Sequence, residues 1–152
     1  MNWKAVIVGA IVFWLVTNIV GFAVTGFVIH QKILDPIYRA NESFWLPELA
    51  QDPPDMGAMM PKWLLNSFIS SLIVAGIYVC VHGSFSGGGA KKGATWGLCL
   101  GFFAAATYLS MSGIFNLPME IWIWWSVDAL ILFLIGGAAM GWTAERFGGL
   151  KA

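Results

Sequence analysis

The chain has 152 residues, of which 59% are hydrophobic and 11% are charged, whereas soluble globular domains usually carry about 25% charged residues. Eight basic and eight acidic residues cancel, so the chain lacks the basic surplus with which proteins neutralise nucleic-acid phosphates. The high hydrophobicity excludes a disordered chain. These numbers predict an integral membrane protein that forms one transmembrane domain over residues 1–152 and has the lipid bilayer, not nucleic acid, as its partner.

Four apolar stretches are long enough to cross a bilayer as helices, which takes about 20 residues each. In chain order they cover about residues 5–29, 63–81, 93–115 and 118–142. They are continuous apolar runs rather than the alternating segments of about 10 residues that build membrane β-barrels. The sequence therefore predicts an all-α fold, a bundle of four transmembrane helices.

The connection between the first two spans, about residues 30–61, contains a further helical signal. Asp35-Pro36 has the form of an N-cap followed by the proline of a first helical turn, and apolar side chains follow it between charged ones. We expect a short interfacial helix that begins there and lies along the outer membrane surface. Pro53 and Pro54 then interrupt helical structure, because proline has no amide proton.

The basic residues predict the orientation of the chain. Four spans put both termini and the middle loop on one side, which carries five Lys or Arg against three on the other side. Cytoplasmic loops are enriched in Lys and Arg. We therefore expect both termini in the cytoplasm and the long loop outside. The basic residues of the cytoplasmic side are Lys4, Lys91, Lys92, Arg146 and Lys151.

Small residues at four-residue spacing predict how the helices associate. Helices in lipid pack where small residues let their backbones approach closely, and residues four apart share one helical face. We expect the third and fourth spans to pack through such faces, and the alternative use of the same residues is the seam of a homodimer. The glycines concerned are Gly93, Gly97, Gly101, Gly137 and Gly141.

The fourth span contains an acidic residue, Asp128, ten residues after Pro118, which is about 15 Å into the bilayer at about 1.5 Å per residue. A charged Asp at the bilayer centre costs about 2.5–3.5 kcal/mol on insertion scales, and no Lys or Arg lies within a span to neutralise it. Asn18 reaches a similar depth, with Thr17 and Thr107 as candidate neighbours. Two interpretations stay open: a proton or cation site, or a structural hydrogen bond that determines helix register.

Methionines before the second span form a candidate copper site with His30, since thioether and imidazole ligands suit Cu(I). They are Met56, Met59 and Met60. Methionine also serves as adaptable packing at interfaces, and this is the interpretation we favour. His30 is then expected to be solvated or bonded to a backbone carbonyl, and no cofactor or metal is expected.

No pattern typical of an enzyme is visible in the sequence. The nucleophile-and-base motifs of hydrolases and the dinucleotide fingerprint are absent. No His lies well inside a span, where it would be needed to ligate a haem between helices. We therefore expect a protein without catalytic activity.

A family resemblance is carried by residues spread over most of the chain: Ile29-His30, Ile33-Leu34, Tyr38, Trp45-Leu46-Pro47, Gly93, Gly97-Leu98, Gly101, Pro118, Trp122 and Gly137. On these residues the chain resembles small four-span bacterial inner-membrane proteins of uncharacterised function. The resemblance implies a location in the bacterial inner (plasma) membrane. It implies no activity and no site residues.

Three hypotheses of function follow from these patterns. The first is a non-catalytic accessory or assembly subunit that packs against other membrane-protein subunits or a second copy of itself, because the interior is nearly uncharged and every span carries small residues. The alternative is a small proton, ion or solute carrier that uses Asp128 and Asn18. The third is handling of copper at the outer face.

Overall fold

In hydrocarbon, backbone amides have no water to bond, so spanning segments form helices whose hydrogen bonds are internal. The structure is a computed structural model that describes residues 1–150. Within these residues the chain is 80% helical and has no strand. Lys151, one of the basic residues used to predict the orientation, lies outside the described residues.

Four helical segments are long and apolar enough to span a membrane, and the predicted all-α bundle of four transmembrane helices is confirmed. Single 3-10 turns occur at Glu42–Phe44 and His82–Ser84. The first spanning segment is composite, and the three others are single α-helices. The elements are α1 (Trp3–Val20), a π-helical segment (Gly21–Leu34), α2 (Asp35–Arg39), α3 (Met56–Val81), α4 (Gly89–Met111) and α5 (Met119–Arg146).

Successive spanning segments run antiparallel, so the bundle has two ends. We name one the terminal end, because it carries the N-terminus, the last described residues and the short connection between α3 and α4. The other is named the loop end, and it carries residues 40–55 and 112–118.

The contact between α4 and α5 is formed by glycines and brings the two backbones together. A Cβ added at Gly93 would collide with the carbonyl oxygen of Gly137, and one added at Gly97 would collide with that of Phe133. Only glycine permits this approach, because any other residue carries a Cβ. This face is filled within the chain and is therefore not free to form a homodimer seam. The glycines at the contact are Gly93, Gly97, Gly101, Gly137 and Gly141.

The helix α1 contacts both α3 and α5, and at the terminal end it holds the three together. Gly9 makes this possible, because a Cβ added there would meet Met140 of α5 at 3.1 Å and Ala75 of α3 at 3.7 Å. Buried Ala5 and Ala10 belong to the same core cluster. Toward the loop end, α3 and α5 diverge, and a cavity separates them.

The first spanning segment is longer than the sequence indicates and does not end before His30. Its π-helical part continues into α2, where Asp35 has helical dihedral angles (φ −54°, ψ −46°). A short helix does begin at Asp35, but Asp35 is its first helical residue and not an N-cap. The physical reason is burial: Ile29 and Leu34 are 3% and 0% exposed in a cluster with the start of α5, which favours continued helix.

The residues expected to lie along the membrane surface cover the loop end of the bundle. Tyr38 and Trp45 are half-buried and pack edge to face with ring centroids 5.0 Å apart. Trp45 also lies 6.1 Å from Trp125 of α5. Their apolar surface therefore serves aromatic packing inside the chain.

The glycine contact predicts opposite effects for one substitution at two positions. Gly97→Ala places a methyl group against the Phe133 carbonyl, and we expect it to lower the free energy of unfolding by about 1–3 kcal/mol. Gly76→Ala in α3 meets nothing within 4 Å, and we expect it to be neutral or to stabilise by up to about 1 kcal/mol. Thermal unfolding in detergent, followed by circular dichroism, measures both. Equal losses for the two variants would contradict the close contact.

Candidate intramembrane binding site

A cavity of about 890 Å³ lies between α1, α3 and α5. Its deep end is bordered by Phe13 and Phe133, whose rings stack with centroids 5.9 Å apart. At the loop end its walls include the exposed side chains Leu49, Met56 and Trp63. The cavity thus extends from the middle of the bundle to the surface at the loop end.

Asp128 borders this cavity and is incompletely hydrogen-bonded. Its Oδ1 atom is buried and has no hydrogen-bond partner within residues 1–150. Its Oδ2 atom lies 3.4 Å from Nε2 of His30, which is longer than the usual 2.7–3.2 Å of an N–H···O bond. The side chain is 17% exposed. The carboxyl group is therefore only weakly hydrogen-bonded by the described residues.

A chain of hydrogen bonds leads from Trp125 to this carboxyl group. Trp125 Nε1 lies 2.7 Å from the Tyr38 hydroxyl, and that hydroxyl lies 2.8 Å from His30 Nδ1. An indole N–H only donates, so the Tyr38 oxygen accepts from Trp125. We assign the imidazole proton to Nε2, because Nδ1 can then accept the Tyr38 proton while Nε2 faces the Asp128 carboxyl group. His30 then donates toward Asp128.

Two helical faces bring these four side chains together. Trp125 and Asp128 are three residues apart on α5 and so lie on one face of that helix. His30 and Tyr38 lie on the composite first segment, which runs antiparallel to α5, and their rings stack with centroids 6.0 Å apart. The extension of that segment past residue 29 is therefore what places a donor next to Asp128.

The other residues of the predicted site bond within their own helices. Asn18, Thr17 and Thr107 each donate to the carbonyl oxygen four residues earlier, at 2.8–2.9 Å, as short polar side chains in helices commonly do. Asn18 and Thr17 border the cavity, and Thr107 is not among its described lining residues. The structure thus pairs Asp128 with His30 and not with Asn18.

Two of the site residues, Tyr38 and Trp125, were missed as functional candidates in the sequence. His30 contacts two side chains, the Tyr38 hydroxyl at 2.8 Å and Asp128 at 3.4 Å, and its side chain is 35% exposed. The sequence does contain a signal for this arrangement, because no proline precedes Pro36 and nothing of that kind stops the first helix after residue 29. A first helix that continues to Asp35 places the His30 imidazole beside the fourth span, close to Asp128.

The candidate copper ligands are only partly brought together. Met56, Met59 and His30 border the same cavity, whereas Met60 is not among the residues described as lining it. In the part of the chain that the structure describes, no group of three or more His, Cys, Asp or Glu side chains could hold a metal ion. Copper handling stays a prediction.

Comparisons with known proteins add no assignment to this geometry. No protein-family model, no curated protein and no solved structure matches the chain. The functional evidence therefore consists of the cavity and the side chains that border it.

The hydrogen-bond chain predicts that the Tyr38 hydroxyl stabilises the fold. Tyr38→Phe removes the acceptor of Trp125 and the donor to His30, and we expect it to lower the free energy of unfolding by about 1–3 kcal/mol. Tyr108→Phe is the matched control, because Tyr108 also borders the cavity and its hydroxyl makes no hydrogen bond within residues 1–150. Urea unfolding in mixed micelles, monitored by tryptophan fluorescence, compares the two. Equal destabilisation would show that the chain contributes nothing specific.

Proposed function

We propose that the protein is a small solute carrier that binds an organic molecule in the cavity between α1, α3 and α5. The observation that supports this most directly is the position of Asp128, an incompletely bonded carboxyl group at the wall of a cavity of about 890 Å³. Ligand pockets commonly have volumes of about 300–1,000 Å³. An ionisable side chain inside a membrane domain is costly and usually functional.

The composition of the cavity walls supports a solute with an apolar body. Phe22 and Trp63 border the cavity with ring centroids 5.1 Å apart, and Leu132 faces them from α5. Polar side chains, among them Asn18 and Ser70, interrupt these apolar walls at many positions. Such a mixture is typical of pockets in which apolar contacts hold the ligand and polar groups orient it.

A carrier requires a binding site that can open in turn to the two sides of the membrane. The packing of α3 supports such a movement. The contacts of α3 with other spanning helices are mainly with α1. They include the Trp14 indole, whose Nε1 lies 2.9 Å from Ser67 Oγ and 3.2 Å from the Leu64 carbonyl. Movement of α3 about this contact would widen or narrow the cavity without disturbing the glycine contact between α4 and α5.

The accessory-subunit hypothesis stays a prediction. The exposed apolar side chains of α3 and α4, such as Ile73 and Phe103, could contact lipid tails or the helix of a partner protein equally well. No contact within the described residues favours a partner protein over lipid. The cavity, in contrast, is a specific feature that a solute carrier uses.

The four spanning helices make the chain a multi-pass membrane protein, and its orientation is part of the proposal. We place both termini in the cytoplasm, because the terminal end carries more Lys and Arg. We place the chain in the inner membrane of a bacterium, as the resemblance to small four-span bacterial inner-membrane proteins implies. A green fluorescent protein fused to the C-terminus should then be fluorescent in cells, and an alkaline phosphatase fused there should be inactive. The reverse pattern would overturn the orientation and leave the cavity unaffected.

Binding of small aromatic probes tests the carrier proposal. The protein in lipid nanodiscs is dialysed against tetraphenylphosphonium, tetraphenylborate and the neutral triphenylphosphine oxide, and empty nanodiscs provide the background. We expect at least one probe to bind at about one molecule per chain, as for a single pocket. If none binds above background, the proposed function is wrong.

A cavity-filling variant shows whether the bound probe occupies the cavity. Ser70 borders the cavity, so Ser70→Trp should abolish probe binding. Ile69→Trp is the matched control, because Ile69 is the neighbouring residue, is 48% exposed and is not among the described lining residues. Loss of binding in both variants, or in neither, would locate the probe elsewhere.

A further inference from the structure

We infer that the solute is an organic cation: an amine, or a quaternary ammonium or phosphonium group, with apolar substituents. Its positively charged head would lie beside the Asp128 carboxyl group and its substituents would occupy the apolar part of the cavity. The inference rests on the proposed function, because it names the class of solute that the same cavity takes. It goes beyond that function by assigning the sign of the charge.

The hydrogen bonding of Asp128 is the first observation that points to a cation. Oδ1 has no partner within the described residues and Oδ2 has only the long contact to His30. A buried acceptor without a donor is unfavourable. A protonated amine in the cavity supplies a donor and the opposite charge, whereas a quaternary ammonium or phosphonium head supplies the charge alone.

The charged side chains around the cavity are the second observation. Those described as lining it are three acids, Asp35, Glu42 and Asp128, and one permanent base, Arg39. His30 also lines it and is a cation only when protonated. Arg39 is engaged at the loop end, where its guanidinium lies 2.8 Å from Asp35 and 3.2 Å from Asp52. The imbalance favours a cation over an anion, since opposite charge attracts in a medium of low dielectric constant.

Aromatic rings next to the carboxyl group are the third observation. Tyr38, Tyr108 and Trp125 border the cavity together with Asp128, and the last two rings meet edge to face with centroids 5.8 Å apart. The faces of Trp and Tyr attract organic cations, and quaternary ammonium ions are recognised in this way.

An inorganic divalent cation suits this site less well. Ca²⁺ takes 6–8 oxygen ligands and Mg²⁺ requires nearly ideal octahedral coordination. Asp128 is one carboxyl group with rings around it, and the described residues offer no cluster of three metal-ligating side chains. The surroundings therefore favour a cation with an organic surface.

The sign of the charge is tested with two probes of the same shape, tetraphenylphosphonium and tetraphenylborate. For the wild-type protein in nanodiscs, with empty-nanodisc background subtracted, we expect the phosphonium ion to bind at least about tenfold more tightly than the borate ion. Asp128→Asn should weaken phosphonium binding by about tenfold or more. Asp55→Asn, the matched control at an exposed helix cap outside the cavity, should change it by less than about twofold.

The outcomes separate the inference from the function on which it rests. If tetraphenylborate or triphenylphosphine oxide binds as tightly as the phosphonium ion and Ser70→Trp abolishes that binding, the cation inference is overturned and the carrier proposal survives. Phosphonium binding that is selective but insensitive to Asp128→Asn would overturn the assignment to Asp128. The wild-type comparison needs no variant, so it decides the sign of the charge even if Asp128→Asn does not fold.

The cation has two potential sources, a free amine and the amine of a lipid headgroup. Nanodiscs of phosphatidylglycerol alone and nanodiscs that also contain phosphatidylethanolamine distinguish them. Weaker phosphonium binding in the second kind, by about fivefold or more, would indicate that the headgroup competes for the site. Unchanged binding would indicate a free organic cation. Either result supports the cation site and identifies its source.

Discussion

The absence of water around the spanning segments is the constraint from which the arrangement of this molecule follows. A polar group in hydrocarbon must find its hydrogen-bond partner within the protein. Asn18, Thr17 and Thr107 do so locally, because each carries a donor that reaches a carbonyl oxygen of its own helix. A carboxylate carries no donor, and Asp128 therefore depends on a group from another helix; within the described residues its contact of this kind is the long one to His30.

The size of the residues along α1 explains why a cavity forms at one end only. At the terminal end the residues that meet α3 and α5 are small, and Ala5, Gly9 and Ala10 let all three helices approach. Toward the loop end, the rings of Phe22 on the π-helical segment and Trp63 on α3 meet with centroids 5.1 Å apart. Helices in lipid pack closely where small residues allow it, and the terminal end is where all three helices meet through such residues.

The fold could be predicted from the sequence more completely than the site. Long apolar runs identify spanning helices because only helices satisfy their backbone in lipid, and the four-residue spacing of glycine identifies a helix face. The partner of Asp128 could not be read in this way. A prediction from hydropathy ends the first span before the polar residues His30, Gln31 and Lys32, whereas the helix continues because Leu34 is buried against α5. That burial is a contact between distant parts of the chain, and the number of apolar residues in a segment does not reveal it.

The same extension connects the hydrogen-bond chain to the mouth of the cavity. Tyr38, the middle member of that chain, accepts through its carbonyl oxygen from Trp45 Nε1 at 3.0 Å, and Trp45 lies in the loop that covers the loop end. Arg39 follows directly and holds Asp52 near the far end of this loop. The contacts of Tyr38 thus join the His30–Asp128 pair at the cavity wall to the loop that covers the loop end of the bundle.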